Sequence, residues 1–220
     1  MYKKIVLLAK SKKHQNYCVA GKDVDTGEWV RLISEEEEIH NAVRPENLIY
    51  SDETEAQILD VIRAKVKEVD EENINPNQPE NYILDKNYYL TKIEEETYNL
   101  DDMIDNTEKI FFNDMNSISV EDLQDIDNIH SLVLIEPDIV RVRIKNETDL
   151  IANVWYKGVW YNNLTITDSR FNREYYNEII DEPRSFRDFK IVVSLAEEYN
   201  NRHYKLIASV IEPQYYKANI

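Results

Sequence analysis

Apolar and polar side chains alternate along most of this chain, as they do in β-strands that bury one face. In the first part of the chain this alternation predicts strands at residues 5–9, 17–24, 29–34, 58–69 and 82–93. A polar, basic loop is expected at residues 11–16. After the third strand, an acidic stretch at residues 35–57 predicts a short helix or only loops.

The same order of elements returns after residue 130. The pattern predicts a strand at residues 131–145 interrupted near Pro137, a hairpin of residues 151–157 and 159–168, a helix at residues 169–180, and strands at residues 189–196 and 203–212. Three strands, a helix and two strands form the element order of the OB-fold, a Greek-key barrel of five strands. The sequence therefore predicts a mainly β protein with α insertions: two OB-like five-stranded Greek-key barrels, formed by residues 1–93 and 131–220.

The stretch at residues 94–130 is expected to connect the two barrels as an acidic helical segment. Apolar positions between Leu100 and Phe111 repeat every 3.6 residues, and a second short helix is predicted after a cap at Ser117 or Ser119. Most of the other positions are acidic. The segment is interpreted either as a solvated connection that packs one apolar stripe of its helix against a barrel, or as an arm that binds a partner protein through residues 94–128.

Charge is distributed unevenly along the chain. The net charge of −17 divides into +4 for residues 1–31, −22 for residues 32–139 and +1 for residues 140–220. A negative overall field slows the approach of phosphate polymers. Any contact with nucleic acid must therefore depend on local basic faces.

The residues that common enzymes and metal sites require are absent from the sequence pattern. The three glycines are too few for a phosphate loop or a dinucleotide fingerprint, and Cys18 is the only cysteine. The four histidines lie far apart, so no catalytic residue, metal site or cofactor is predicted. No apolar run approaches the roughly 20 residues that a bilayer span requires. We therefore expect a cytoplasmic protein with no membrane contact and, on balance, no enzymatic activity.

A candidate binding surface in the first half follows from the predicted barrel. OB barrels bind ligands on the face of strands two and three, between the loops that join strands one to two and four to five. The candidate residues are Lys10, Lys12, Lys13 and His14 in one loop, Gln78 and Asn81 in the other, and Lys22, Trp29 and Arg31 along the wall. Cations that neutralise phosphates beside an aromatic ring that stacks on bases suit a single strand. The alternative is that Trp29 belongs to the core and the lysines serve only solubility.

A second candidate surface lies on the first strand of the second half. Arg141, Arg143 and Lys145 alternate with apolar residues, so one side of this strand is basic, and Trp155 on the next strand would extend the surface. The alternative is an ordinary half-exposed strand. Trp160 is interpreted as a packing residue with a polar edge.

Several stretches of the sequence are similar to those of a known family. Residues 17–31 (Tyr-Cys-Val-Ala-Gly-Lys-Asp-Val-Asp-Thr-Gly-Glu-Trp-Val-Arg), 58–62, 77–81, 165–168 and 203–208 resemble an uncharacterised prokaryotic family of dual OB-containing domains. The resemblance implies a paired barrel and an association with nucleic acid, and it supplies no catalytic residues. The predicted function is a non-catalytic binding module for single-stranded nucleic acid or RNA. The alternative is an acidic adaptor that binds a basic partner protein.

Overall fold

The computed structural model of the protein describes residues 1–13, 15–147 and 149–216. The chain divides into two units, Met1–Met103 and Ile104–Ile220, and each has its own apolar core. The secondary structure is mainly β with few helices, as the sequence predicts. In the described part of the chain, no helix is both long enough and apolar enough to cross a membrane.

The first unit is a closed barrel. Its strands are β1 (Tyr2–Lys13), β2 (Asn16–Asp23), β3 (Trp29–Ile33), β4 (Val61–Glu68), β5 (Asn81–Leu84) and β6 (Thr91–Lys92). The sheet runs β1-β2-β3-β5-β4, and β1 closes it by pairing with β4 as well as with β2. The β3–β5 pair is parallel, which is the Greek-key crossing expected of an OB barrel.

Alternation along these strands decides which side chains enter the barrel. Ile5 and Leu7 of β1, Val19 of β2 and Val30 and Leu32 of β3 point into the core and are almost completely buried. Their sequence neighbours therefore point out of the barrel. This confirms the predicted faces of the third strand, with Trp29 and Arg31 on the outside.

Two local predictions for the first unit are wrong. The basic loop predicted at residues 11–16 is absent, because β1 continues to Lys13 and pairs with β2 as far as Asn16. The fifth predicted strand is broken into β5 and β6. The acidic stretch after β3 contains the 3-10 helices Glu37–Ile39 and Pro45–Leu48.

A seven-strand path with one additional strand forms the sheet of the second unit. The strands are β7 (Ser117–Ser119), β8 (Leu132–Ile135), β9 (Ile139–Ile144), β10 (Leu150–Tyr156), β11 (Val159–Ile166), β12 (Arg184–Phe186), β13 (Lys190–Tyr199) and β14 (Arg202–Ile211). The path runs β12-β9-β10-β11-β14-β13-β8, and β7 pairs with β14. The β11–β14 pair is parallel. The long first strand predicted for this half is divided at Pro137 into β8 and β9, as the sequence indicates.

The helices of the second unit are α1 (Val120–Gln124), α2 (Ser169–Ile179) and α3 (Pro213–Tyr216). Asp168 caps α2, since its side chain accepts hydrogen bonds from the backbone amides of Arg170 and Phe171. Its second carboxylate oxygen accepts from the amide of Val210 on β14 at 3.0 Å. Asp168 therefore joins the helix to the parallel strand pair.

The helix predicted between Leu100 and Phe111 is wrong. Only the 3-10 helix Leu100–Met103 forms, and Phe111 and Phe112 adopt left-handed backbone angles that a right-handed helix excludes. Phe111 gains complete burial in the core of the second unit in this conformation. The second short helix is confirmed as α1, which Ser119 caps by accepting from the amide of Asp122.

A buried lysine holds residues 104–116 against the second sheet. Lys205 on β14 is 1% exposed, and its Nζ donates to the backbone oxygen and to Oδ1 of Asn113 at 2.8 and 2.9 Å. The same Nζ lies 4.9 Å from the ring centre of Tyr161. Burial lowers the pKa of Lys205 to about 7, while Asp114 raises this pKa and Lys109 lowers it further. A charged ammonium here loses hydration that two acceptors and an aromatic face replace only in part.

Gly21 lies at a close contact between β1 and β2 that leaves no room for a side chain. A Cβ on Gly21 would lie 2.0 Å from the carbonyl oxygen of Val6, a backbone atom of the neighbouring strand. We expect Gly21→Ala to destabilise the first unit by about 3 kcal/mol, because the added methyl overpacks a strand pair. Gly27→Ala is the control, since its Cβ meets nothing within 4 Å and only the φ of +73° is unfavourable, costing about 1 kcal/mol. Hydrogen exchange of peptides from Met1–Met103 measures the stability of the first unit in both variants. Equal losses of stability in the two variants would contradict the close contact between the strands.

A second prediction concerns pH. The unfolded chain titrates Lys205 near 10.5 and the folded unit near 7, so only the unfolded chain binds this proton between those values. The stability of the second unit should therefore rise with pH across this window, by at most about 1.4 kcal/mol per pH unit. Thermal unfolding of the wild type and of Lys205→Met between pH 7 and 10 tests this. The wild type should gain stability relative to the variant as pH rises, and parallel pH profiles would contradict the titration.

Candidate nucleic-acid interface

The outer face of β2 and β3 in the first unit is closed. Lys22 and Trp29 are opposite each other in register, and the Nζ of Lys22 lies 5.4 Å from the indole ring. That Nζ also donates to the backbone oxygen of Met103 at 2.7 Å. Lys22 is buried, so the cation of this pair is withdrawn from a ligand, and Trp29 is half-buried.

Arg31, the third residue predicted for this wall, is also buried. It is 7% exposed, and its Nε and Nη2 both lie 3.2 Å from Oε1 of Glu80, which is itself buried. Removal of one partner from such a pair leaves an uncompensated buried charge. The interpretation of Arg31 as an open, cationic contact is therefore wrong, because its charge is neutralised inside the unit.

The predicted basic loop residues lie on the end of β1 and are mostly engaged. The Nζ of Lys10 contacts Oε1 of Glu55 at 2.8 Å and donates to the backbone of Ala56 at 2.8 Å. Lys13 donates to the backbone oxygen of His40 at 3.0 Å, whereas Lys12 is exposed. His14 lies outside the described residues. Lys10 and Lys13 thus contact the acidic stretch that follows β3.

The other predicted loop, at Gln78 and Asn81, contacts itself and β3. The Nδ2 of Asn81 donates to Oε1 of Gln78 at 3.4 Å, and Asn81 is opposite Arg31 in the parallel register. Both residues are half-buried. The first unit therefore does not assemble the basic groove that the sequence predicts.

The outer face of β10 and β11 in the second unit is more open. Trp155 on β10 is directly opposite Trp160 on β11, and the ring centres are 5.3 Å apart. Directly opposite residues of antiparallel strands share a face. Because Val154 and Tyr161 point into the core, both tryptophans point outward, and Trp160 is 41% exposed. The two rings are tilted by 49° and form an aromatic pair beside the β10–β11 turn.

The basic side of β9 continues this face. Arg141 is opposite Asn153 in register, two positions along β10 from Trp155. Arg141, Arg143 and Lys145 are all exposed. Among the described residues, no carboxylate lies within 4.0 Å of any of these three cations. Their charges are therefore available to an anionic ligand.

A β-bulge between the tryptophans and Arg143 positions three asparagines. One residue on β10, Asn153, is opposite Asn162 and Asn163 on β11. The bulged Asn163 has a φ of 62°, a conformation that asparagine tolerates. Its amide donates to Oδ1 of Asn153 at 2.9 Å, and its own Oδ1 accepts from Nη2 of Arg143 at 2.9 Å. The network orients Arg143 and leaves side-chain amides at the surface.

This outer face, named the tryptophan face, consists of Arg141, Arg143, Asn153, Trp155, Asn162, Asn163 and Trp160. The sequence pattern indicates the two arginines and Trp155, with Lys145 beside them. It missed Trp160 because an aromatic beside a turn is usually a packing residue. It missed the asparagines because a bulge depends on the register between two strands, although two consecutive asparagines within a strand are a weak signal for one.

The proposed partner-binding segment at residues 94–128 is integrated into the fold. Its apolar side chains are buried at Leu100, Ile110, Phe111, Ile118 and Leu123. Its carboxylates are mostly exposed. Exposed acidic positions alone do not specify a ligand, so the partner protein stays a prediction from the sequence.

The first unit is a closed five-stranded barrel with the strand order of the OB-fold. A family model for the dual OB-containing domain matches residues 3–210. The chain belongs to this family, as the sequence resemblance implies. No curated protein and no solved structure shows significant similarity to the chain.

Proposed function

We propose that the tryptophan face binds single-stranded nucleic acid. The observation that carries this proposal is the pair Trp155 and Trp160 on the outer face of β10 and β11. Trp160 is exposed and Trp155 is half-buried, and both lie beside arginines whose charge no described carboxylate neutralises. Aromatic rings stack on bases of any sequence, and cations along the same surface neutralise the phosphates. Membership of a family of OB-containing domains supports a binding role.

The proposal includes a second OB barrel in the second unit. The path β9-β10-β11-β14-β13-β8 repeats the order β1-β2-β3-β5-β4 if β8 and β9 are two halves of one first strand. The parallel β11–β14 pair then corresponds to the β3–β5 pair. In this correspondence β10 and β11 are strands two and three, which carry the ligand face of OB barrels. The tryptophan face is therefore at the expected position.

The chemistry of the face suits a flexible strand better than a duplex. Stacking on Trp155 and Trp160 requires bases that are free of a partner, whereas a duplex offers its stacked bases only at its ends. Arg141 and Arg143 are spaced by about 7 Å along β9, at two residues of strand rise. Side-chain amides at Asn153 and Asn162 offer hydrogen bonds to base edges or sugars between these groups.

The acidity of the chain sets the conditions for this binding. A net charge of −17 opposes a phosphate polymer at long range, and salt screens that repulsion as well as the local attraction. We therefore expect modest affinity that depends on the tryptophan face itself. Fluorescence anisotropy with labelled oligothymidylate and oligouridylate at low salt measures it.

Tryptophan substitutions separate the two candidate surfaces. Trp155→Ala and Trp160→Ala should each weaken oligonucleotide binding by about 1–3 kcal/mol, since each removes a stacking partner. Trp29→Ala, the matched change on the closed face of the first unit, should leave the affinity unchanged. Fluorescence anisotropy measures all three variants, and thermal unfolding checks that each is folded. Loss of binding in Trp29→Ala with normal binding in the other two would refute the proposed location.

Salt dependence tests the role of the arginines. Arg141→Gln should lower the slope of log affinity against log salt by about 0.7, the contribution of one phosphate contact to a single strand. Arg173→Gln removes an exposed cation from α2 and should leave the slope unchanged. Titrations between about 50 and 300 mM salt, over which the Debye length changes about 2.4-fold, provide the slopes. Identical slopes for the wild type and Arg141→Gln would contradict a phosphate contact at Arg141.

A further inference from the structure

The first unit presents a second exposed aromatic and cationic surface, on the side of β1 and β4. Arg63 and Lys65 on β4 point away from the core, because Ile62, Ala64 and Val66 point into it. Tyr2 on β1 is directly opposite Lys65. The surface thus uses a different pair of strands from the closed β2–β3 face of the same unit.

Tyrosine rings cover the cations of this surface. The Arg63 guanidinium lies 5.5 Å from the ring centre of Tyr2, and the Nζ of Lys65 lies 3.5 Å from that of Tyr88. Tyr89 follows in the same loop. These five residues, Tyr2, Arg63, Lys65, Tyr88 and Tyr89, are named the tyrosine patch.

The tyrosines of the patch are unusually open to solvent. Tyr2, Tyr88 and Tyr89 are 59%, 48% and 65% exposed. Large aromatic side chains usually lose most of their accessible surface on folding. The exposed rings of Tyr2 and Tyr88 beside the two cations, and the exposed ring of Tyr89 next in the chain, offer stacking area to a ligand.

The electrostatics of the patch admit an anion at Arg63. Lys65 contacts Asp85 only at 3.8 Å, a long ion pair at a partly exposed site, and such pairs contribute little. Among the described residues, Arg63 has no carboxylate within 4.0 Å. A guanidinium that rests on an aromatic face keeps its outer edge free to donate hydrogen bonds to phosphate.

We propose that the tyrosine patch is a second contact site for single-stranded nucleic acid. This inference rests on the proposed function for the choice of ligand, but its residues, strands and unit are different. Phosphate binds at Arg63 and Lys65, and bases stack on Tyr2, Tyr88 or Tyr89. Each unit then carries one site, the second unit on its β10–β11 side and the first on its β1–β4 side.

The number of short oligonucleotides bound to the intact chain tests this inference. Native mass spectrometry with hexathymidylate, which is of the size that one OB barrel binds, should show two oligonucleotides on the wild type at saturation. Arg63→Gln/Tyr88→Ala should bind one, and so should Trp155→Ala/Trp160→Ala. All four side chains are at least partly exposed, and hydrogen exchange of each unit checks that the variants are folded.

Photocrosslinking with 5-bromouracil hexamers assigns the sites. The Trp155→Ala/Trp160→Ala protein should still form adducts on peptides that contain Tyr2, Tyr88 or Tyr89. One bound hexamer that survives Arg63→Gln/Tyr88→Ala would overturn this inference and leave the proposed function standing. One bound hexamer that is lost only in Arg63→Gln/Tyr88→Ala would support the tyrosine patch and refute the tryptophan face. No bound hexamer at any concentration would refute both.

Discussion

The double pairing of the first strand is the constraint on which the first unit depends. Because β1 pairs with β2 over one part of its length and with β4 over another, the sheet closes and every strand acquires an inside and an outside. Gly21 permits the close β1–β2 pairing beside this closure, since the carbonyl of Val6 occupies the space where a side chain would begin. Once the inside is fixed, alternation decides which residues face outward. The outward residues either bury one another, as Arg31 and Glu80 do, or remain available to a ligand.

Outward-pointing residues of the two units are chemically similar but have different roles. In the first unit, Lys22 donates to a backbone oxygen and Arg31 pairs with a buried carboxylate. These cations therefore stabilise the fold. In the second, Arg143 is oriented by a neutral amide, which leaves its charge uncompensated. Neutral partners orient a cation without cancelling its field, and this difference separates a binding face from a structural one.

The sequence predicts the strands and the inward faces well because period-two alternation is a local property. It also predicts the break at Pro137, where the strand pattern is interrupted. It fails for Arg31, whose partner Glu80 is 49 residues away, since no local pattern reveals a pairing across the parallel β3–β5 contact. It fails for Phe111, where burial in the core outweighs the backbone preference that a helical pattern implies. The exposure of Trp160 and the bulge at Asn163 depend on register, which the sequence leaves open.

The three tryptophans allow one direct test of the proposed binding face. Each indole N–H gives a separate resonance in an NMR spectrum of the intact protein, so a single titration with hexathymidylate reports on Trp29, Trp155 and Trp160 together. The account predicts that the resonances of Trp155 and Trp160 shift in a saturable manner while that of Trp29 stays in place. A shift of Trp29 alone, or unchanged resonances for all three, would contradict it.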